Sequence, residues 1–139
     1  MLDHSKWSCL PRGITPSDID AVIANGAFFL HIEFSKTYCD WSSLPFGQRK
    51  MYQDQVVTSK GDIWAVLAKH SVPSHREIDT VCDVESFQVM FRGFDGQTSK
   101  TNVINAGLNG GVWKNFTINW FKDRAAAVTQ AYKEADNLA

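Results

Sequence analysis

The clearest hydrophobic pattern in the chain is a pair of apolar runs that flank the dipeptide Asn25-Gly26. Asn-Gly is the strongest short signal for a two-residue hairpin turn, because both central positions of that turn need positive φ. The pattern therefore predicts a β-hairpin over residues 20–35. Counting outward from the turn places Ala24 opposite Ala27.

Further along the chain, the pattern predicts a helix, three strands and a second, longer helical segment. Pro45 suits the first turn of a helix, and Gly61 is a typical residue just beyond a helix end. The apolar run over residues 63–68 has the length of a buried strand, which a right-handed crossover would place beside the hairpin. The predicted elements are an irregular N-terminal arm over 1–19, a loop over 37–44, a helix over 45–59 that Ser42 or Ser43 can cap, strands over 63–68, 81–85 and 87–94, a loop over 95–111 and a helical segment over 112–138.

The C-terminal helical segment carries an apolar stripe in which hydrophobic residues recur every three or four positions. We expect this stripe to cover one face of the sheet. A groove for a protein partner or a homodimer interface through this helix is the alternative. The stripe consists of Ile118, Phe121, Ala125, Val128, Tyr132 and Ala135, and Trp113, Phe116 and Trp120 widen it at its start.

Composition limits the class of protein. The chain has 139 residues, 44% of them hydrophobic, which favours a single folded domain over residues 1–139. A formal net charge of −1 leaves no global nucleic-acid footprint, although basic residues outnumber acidic ones around residues 36–76. The three cysteines lack CxxC spacing, so neither a disulfide framework nor a zinc knuckle is expected. We find no signal peptide and no run long enough to span a bilayer, and we therefore expect a cytoplasmic protein without a membrane partner.

The candidate chemistry lies at the open end of the predicted hairpin. Asp20 opens the first strand and Glu33 closes the second, so antiparallel pairing makes them neighbours, one or two residues out of register. Two carboxylates beside an apolar hairpin cost folding energy unless a cation or a hydrogen-bond donor satisfies them. The pair therefore indicates a bound cation or nearby donors.

This arrangement resembles the core of the PD-(D/E)XK nuclease superfamily. An Asp at a strand start, an Asn-Gly turn, an apolar second strand and a Glu follow one another, and residues 10–20 and 46–48 are similar to small phage-type members. The resemblance implies an α/β (α+β) fold of the restriction-endonuclease-like type. Such a fold has a central mixed β-sheet with a β-hairpin, a crossover helix and a long C-terminal helix.

The resemblance also implies a function and a set of site residues. The function is cleavage of phosphodiester bonds in DNA with Mg²⁺ or Mn²⁺ as cofactor, in the host cytoplasm if the protein is phage-encoded. Asp20, Glu33 and the backbone carbonyl of Phe34 would bind the cation. Gln48, on the following helix, would point into the site.

One position departs from the family pattern. The family has a lysine two residues after the Glu, where this chain has Ser35, and a lysine follows at Lys36. Side chains alternate along a strand, so Ser35 shares a face with Glu33, and Lys36 points away unless the strand bulges or ends there. Two functions remain open. One is an active nuclease in which Gln48 and either Lys36 or Ser35 orient the attacking water. The other is a catalytically inactive nuclease-like phage protein that binds nucleic acid or inhibits a host protein.

Six further side chains are candidates for contact with nucleic acid. Two aromatic residues after the hairpin can stack on bases or pack inside the protein. Four basic residues at the end of the predicted strand over 63–68 can contact phosphates or remain solvated. These residues are Tyr38 and Trp41, followed by Lys69, His70, His75 and Arg76.

Overall fold

The computed structural model describes residues 19–92 and 98–138, with side chains described as far as Lys133. Within these ranges a mixed sheet of six strands has one helix packed on one face and two helices on the other. The mixed α and β class is therefore confirmed, whereas a restriction-endonuclease-like arrangement stays a prediction. No helix in the described part of the chain is long and apolar enough to cross a membrane.

The sheet is built from short strands in a nearly sequential order. The strands are β1 (Ala21–Asn25), β2 (Phe28–Lys36), β3 (Ile63–His70), β4 (Ser86–Arg92), β5 (Thr98–Lys100) and β6 (Ile104–Asn105). The helices are α1 (Phe46–Thr58), α2 (Gly111–Lys122) and α3 (Arg124–Leu138), and short 3₁₀ turns lie at Trp41–Ser43 and Leu108–Gly110. The order in the sheet is β1-β2-β3-β4-β5, with β6 also paired to β4. β2 and β3 are parallel, and the other described pairs are antiparallel.

The β1–β2 hairpin forms as predicted but with a different turn. Asn25 pairs with Phe28, so the two turn residues are Gly26 and Ala27. Gly26 has a φ of +62°, which suits a turn that needs positive φ at its first central position. The predicted pairing of Ala24 with Ala27 is therefore wrong, because Asn25 is the last residue of β1 rather than the first residue of the turn.

The helix between the two parallel strands is the predicted crossover helix, and its right-handed sense stays a prediction. α1 begins at Phe46 directly after the N-cap residue Pro45, which makes no side-chain cap hydrogen bond. The predicted capping by Ser42 or Ser43 is wrong, because both hydroxyls hydrogen-bond the carboxylate of Asp40 and so close the preceding 3₁₀ turn. Pro45 therefore gives the start of α1 a suitable backbone conformation but no side-chain cap.

Alternation along β2 and β3 decides which helix each side chain meets. Even-numbered positions of both strands belong to the core beneath α2 and α3, and odd-numbered positions of β3 pack with α1. The odd-numbered positions of β2 face α1 by the same alternation. The larger core includes Leu30, Ile32, Trp64, Val66, Ala68, Phe87, Trp113, Phe116 and Trp120, and the smaller one includes Trp41, Leu44, Tyr52, Val56, Ala65, Leu67 and Met90.

The predicted C-terminal helix is two helices, and this changes which residues are buried. Asp123 has an extended backbone (φ −153°, ψ 102°), and its carboxylate accepts the N–H of Ala126 at 3.1 Å. The break rotates α3 relative to α2, so one continuous stripe does not form. The predicted burial is wrong for Ile118 and Phe121, which are 47% and 41% exposed, and for Ala125, which is also exposed. Val128 and Tyr132 are half-buried against the core, and Ala135 lies beyond the described side chains. Trp113, Phe116 and Trp120 are buried as predicted, and Val112, Ala127 and Ala131 complete the buried face.

The segment between β3 and α2 also differs from expectation. The predicted strand over 81–85 is wrong, because the carboxylate of Asp79 accepts the backbone N–H groups of Val81 (2.9 Å) and Cys82 (2.8 Å) and so closes a turn. The strand predicted over 87–94 corresponds to β4, and residues 93 and 94 of the predicted range lie outside the described residues. The predicted loop over 95–111 includes β5, β6 and the second 3₁₀ turn. Residues 1–18 of the predicted arm lie outside the described residues.

Candidate functional site

The two predicted carboxylates lie on neighbouring chain segments at the same edge of the sheet. Ala21 pairs with Ile32, so one further step along the hairpin places Asp20 opposite Glu33. The Asp20 carboxylate accepts the backbone N–H of Phe34 at 2.8 Å, which ties the start of the hairpin to the end of β2. Directly opposed residues of an antiparallel pair project from the same face of a sheet. Asp20 and Glu33 are therefore neighbours as predicted, but in register rather than offset.

Helix α1 supplies the donors that hold Glu33. Gln48 donates from Nε2 to Glu33 Oε1 at 2.9 Å, and the Tyr52 hydroxyl donates to Glu33 Oε2 at 2.8 Å. Glu33 is only 8% exposed. Gln48 and Tyr52 are one helical turn apart, so they reach the same carboxylate from one face of α1. Gln48, which was expected to point into the site, contacts Glu33, and Tyr52 is a second contact that was not expected.

The electrostatics of Tyr52 connect it to both carboxylates. Burial raises the pKa of its hydroxyl well above the usual range, and the charge of Glu33, its hydrogen bond and the charge of Asp20 raise it further. Tyr52 therefore remains protonated and keeps donating to Glu33 across the physiological pH range.

The backbone of Phe34 offers a third oxygen at this edge. In a strand, the N–H and C=O of one residue point to the same side. The Phe34 N–H points to Asp20, so its carbonyl oxygen points to that side too, beyond the first residue of β1.

Two carboxylates and a carbonyl are hard oxygen donors, and Mg²⁺ is commonly bound by one or two carboxylates together with water. The donor set fits such an ion. The described residues contain no group of three or more His, Cys, Asp or Glu side chains that could hold a metal.

Ser35 and Lys36, the two residues that could take the role of the family lysine, point to opposite faces of β2. Ser35 lies on the Glu33 face of β2, as alternation predicts. Lys36 lies on the opposite face, where its amine donates to the carbonyl of Val72. β2 remains paired with β3 through Lys36 opposite His70, so the strand has no bulge that would turn Lys36 around. Lys36 therefore contacts Val72 rather than Glu33, and its role in orienting a water stays a prediction.

Lys69 lies beside Ser35, a neighbour that the sequence did not predict. It is 5% exposed, and it lies on the α1 face of β3, two positions after Leu67. In the parallel register Lys69 is directly beside Ser35. No residue that the structure describes forms a hydrogen bond or an ion pair with its amine. Alternation along the 63–68 run was the signal that could have placed it, but the relative register of β2 and β3 was needed as well.

The other predicted contacts separate into buried and exposed residues. His70 is buried on the face of Lys36, and burial, followed by the charge of Lys36, lowers its pKa. His75 and Arg76 are exposed in the following loop. Trp41 is 3% exposed and packs edge-on against the Tyr52 ring, so it has the packing role, whereas Tyr38 is 84% exposed.

A buried histidine completes the polar row on β2. His31 is 8% exposed and lies two residues before Glu33, on the same face. Its Nδ1 atom is hydrogen-bonded to the side-chain oxygen of Gln55 at 2.7 Å, one helical turn beyond Tyr52. Gln48, Tyr52 and Gln55 lie on one face of α1 because of their spacing. Each of them hydrogen-bonds a polar side chain of β2.

Comparison with known proteins identifies no relative. No protein-family model matches the chain, and neither the curated proteins nor the solved structures contain a significant match.

Proposed function

We propose that this protein is a Mg²⁺-dependent phosphodiesterase acting on DNA, a nuclease of the PD-(D/E)XK type. The observation that carries this proposal is the opposed pair Asp20 and Glu33 on one face of the sheet. The pair lies at the end of β2, the edge at which both parallel strands finish. Open sheets with parallel strands bind ligands at the carboxyl ends of those strands.

The residues of the chain have distinct roles in this function. Asp20, Glu33 and the Phe34 carbonyl would hold Mg²⁺ or Mn²⁺, which polarises a phosphate and lowers the pKa of a bound water. Gln48 and Tyr52 fix the Glu33 carboxylate, so they act as positioning residues. Hydrolysis forms a bond between the water oxygen and phosphorus and breaks one P–O ester bond. A proton from the water ends on the leaving oxygen.

The proposal is tested by replacing one carboxylate. The wild type should be stabilised by millimolar Mg²⁺ or Mn²⁺, because a ligand that binds only the folded state raises its stability. It should also cleave single-stranded, duplex or branched DNA. Asp20→Asn should lose both responses. Asp54→Asn is the matched control, because Asp54 is an exposed carboxylate that pairs with Lys50 on α1.

A wild type that neither cleaves these substrates nor shifts its melting temperature with either ion would refute the metal-dependent function. Cleavage by Asp20→Asn at the wild-type rate would refute the assignment of the site.

The position of Lys36 favours a second candidate function, a catalytically inactive nuclease-like protein that binds nucleic acid or inhibits a host protein. The Lys36 amine is held by Val72 on the face away from Glu33. In this case DNA binding would be measurable by fluorescence anisotropy without cleavage. Ser35→Lys, which adds a lysine to the Glu33 face, would then be the change that creates activity.

A further inference from the structure

The two edges of the sheet differ in how far they are protected against pairing with another strand. At one edge, β5 has three residues and ends at Lys100, and β6 has only two residues. Short edge strands and edge lysines are typical protections against further pairing. At the other edge, β1 has five residues without a charge or a proline, and no described strand pairs with its outer side. Of the two described edges, that of β1 is therefore the better suited to a partner strand.

The register of the hairpin decides which backbone groups of β1 point outward. Phe34 donates its N–H toward the β1 side of β2, whereas Phe29 donates its N–H to the Asp62 carbonyl at 2.8 Å, on the β3 side. Even-numbered residues of β2 therefore direct their backbone groups to β1, because these groups alternate along a strand. Their partners in β1 are the odd-numbered residues. The N–H and C=O groups of Val22 and Ala24 consequently point away from the sheet.

This alternation makes the edge of β1 self-complementary. When two β1 strands run antiparallel with Ile23 on a two-fold axis, Val22 of each copy lies opposite the partner's Ala24. The two residues of such a pair direct their backbone groups at each other and exchange both N–H···O=C hydrogen bonds. Every outward N–H and C=O group of Val22 and Ala24 is then satisfied. The contact is isologous and closed, which is the form of most homodimers.

The side chains beside this edge are apolar and accessible. Val22 is 49% exposed and Ala24 is exposed as well, and the pairing brings them together across the two strands. Cross-strand pairs of apolar side chains stabilise a sheet. On the opposite face Phe121 of α2 is 41% exposed, and its carbonyl accepts the side-chain N–H of Asn25, the last residue of β1, at 2.9 Å. Apolar side chains therefore lie close to β1 on both faces of the sheet.

The charge nearest to β1 in the chain does not oppose this pairing. Asp20 is exposed and falls opposite the partner's Gly26 in the same register. The two Asp20 residues are therefore separated along the strands by roughly 20 Å, at about 3.3 Å per residue. Salt screens the repulsion between exposed charges at this distance. The two carboxylate sites lie at opposite ends of the paired strands.

We infer that the outer edge of β1 is an interaction surface for a second copy of this chain, which adds its own β1 antiparallel and continues the sheet across a two-fold axis at Ile23. The inference does not depend on the proposed function, because the paired residues Val22, Ile23 and Ala24 are not site residues.

Sedimentation velocity of the wild-type chain over a wide range of concentrations is the first test. The mass should change from that of a monomer to that of a dimer as the concentration rises. Ala24→Pro removes an outward N–H from each copy without removing a hydrogen bond between β1 and β2, and edge strands tolerate such a proline. Losing two hydrogen bonds should raise the dissociation constant on the order of tenfold to a hundredfold. Ala24→Ser keeps the N–H group and is the matched control, which should dimerise as the wild type does.

Disulfide cross-linking tests the register. The three native cysteines are first replaced by serine. Ile23→Cys should then form a disulfide-linked dimer on mild oxidation, because the Cα atoms of a non-hydrogen-bonded pair are about 4.5 Å apart, within the range of a disulfide. Val22→Cys is the matched control. The two copies of this residue are diagonal neighbours about 7–8 Å apart, which is more than a disulfide spans.

Three results would overturn the inference. One is a wild type that stays monomeric at every concentration, and slow hydrogen exchange of the Val22 and Ala24 amides in that monomer would show that another segment covers the edge. Another is a dimer whose dissociation constant is the same in the wild type and in folded Ala24→Pro, because such a dimer uses a different surface. The third is equal cross-linking of Ile23→Cys and Val22→Cys, which contradicts the register.

Discussion

Replacing Tyr52 with phenylalanine removes a single oxygen atom and tests how Glu33 is held. The hydroxyl of Tyr52 is buried and donates to Glu33 Oε2 at 2.8 Å, and the ring packs against Trp41. Phenylalanine keeps the ring contact, so the loss should come from the hydrogen bond alone. A hydrogen bond to a charged group contributes about 1.5–3 kcal/mol, and that is the expected loss in the free energy of unfolding. In a domain of this size it corresponds to roughly 5–10 °C in melting temperature.

Urea unfolding followed by tryptophan fluorescence measures the loss for Tyr52→Phe. Tyr38→Phe is the control, because Tyr38 is 84% exposed and its substitution should change stability by less than about 0.5 kcal/mol. A double-mutant cycle with Glu33→Gln isolates the pair, and we expect a coupling of about 1 kcal/mol or more. A loss for Tyr52→Phe as small as that of Tyr38→Phe would refute the reasoning. The reasoning would also fail if Tyr52→Phe lowered the free energy of unfolding by the same amount in the wild type and in the Glu33→Gln variant.

Two further predictions concern the opposite face of the sheet. Burial lowers the pKa of His70 in the folded state. When the pH falls below about 6.5, the unfolded chain therefore binds a proton at this histidine that the folded chain does not bind. The free energy of unfolding should decrease over the same pH range. His70→Gln should reduce this fall when urea unfolding is compared at pH 7 and pH 5, by at most about 1.4 kcal/mol per pH unit. Phe116→Ala should lose about 3–5 kcal/mol because Phe116 is 1% exposed, and Phe121→Ala should lose clearly less. Thermal melting of the two alanine variants side by side checks this order.

The carboxylate site was largely predictable because its information is local. Asp20 and Glu33 flank one hairpin, so any antiparallel pairing near Asn25-Gly26 brings them together. An error in the turn changed only the offset between the two residues. Gln48 was expected to point into the site, and the spacing of four residues puts Tyr52 on the same face of α1. Their common contact with Glu33 followed once α1 packed on β2.

Lys69 and the C-terminal helices were less predictable because they depend on long-range geometry. Alternation gives Lys69 a face, but its neighbour Ser35 depends on how far the crossover slides β3 along β2. No short pattern specifies that distance. Phe121 was placed on the buried stripe because its spacing is helical throughout. The helix ends at Asp123, whose backbone is extended, and no glycine or proline nearby indicates this break in the sequence.

The crossover has a consequence for how the newly made chain behaves. The described site residues lie within residues 20–69, and their contacts are a hairpin and one strand–helix–strand unit, which are close in sequence and favour fast folding. A chain emerging from the ribosome can complete this unit before α2 and α3 exist. Until then, the core around Leu30, Ile32 and Trp64 lacks the side chains of α2 and α3 that pack on it. The helices from Gly111 onward should therefore influence the solubility of the nascent protein, although none of the described site residues lies in them.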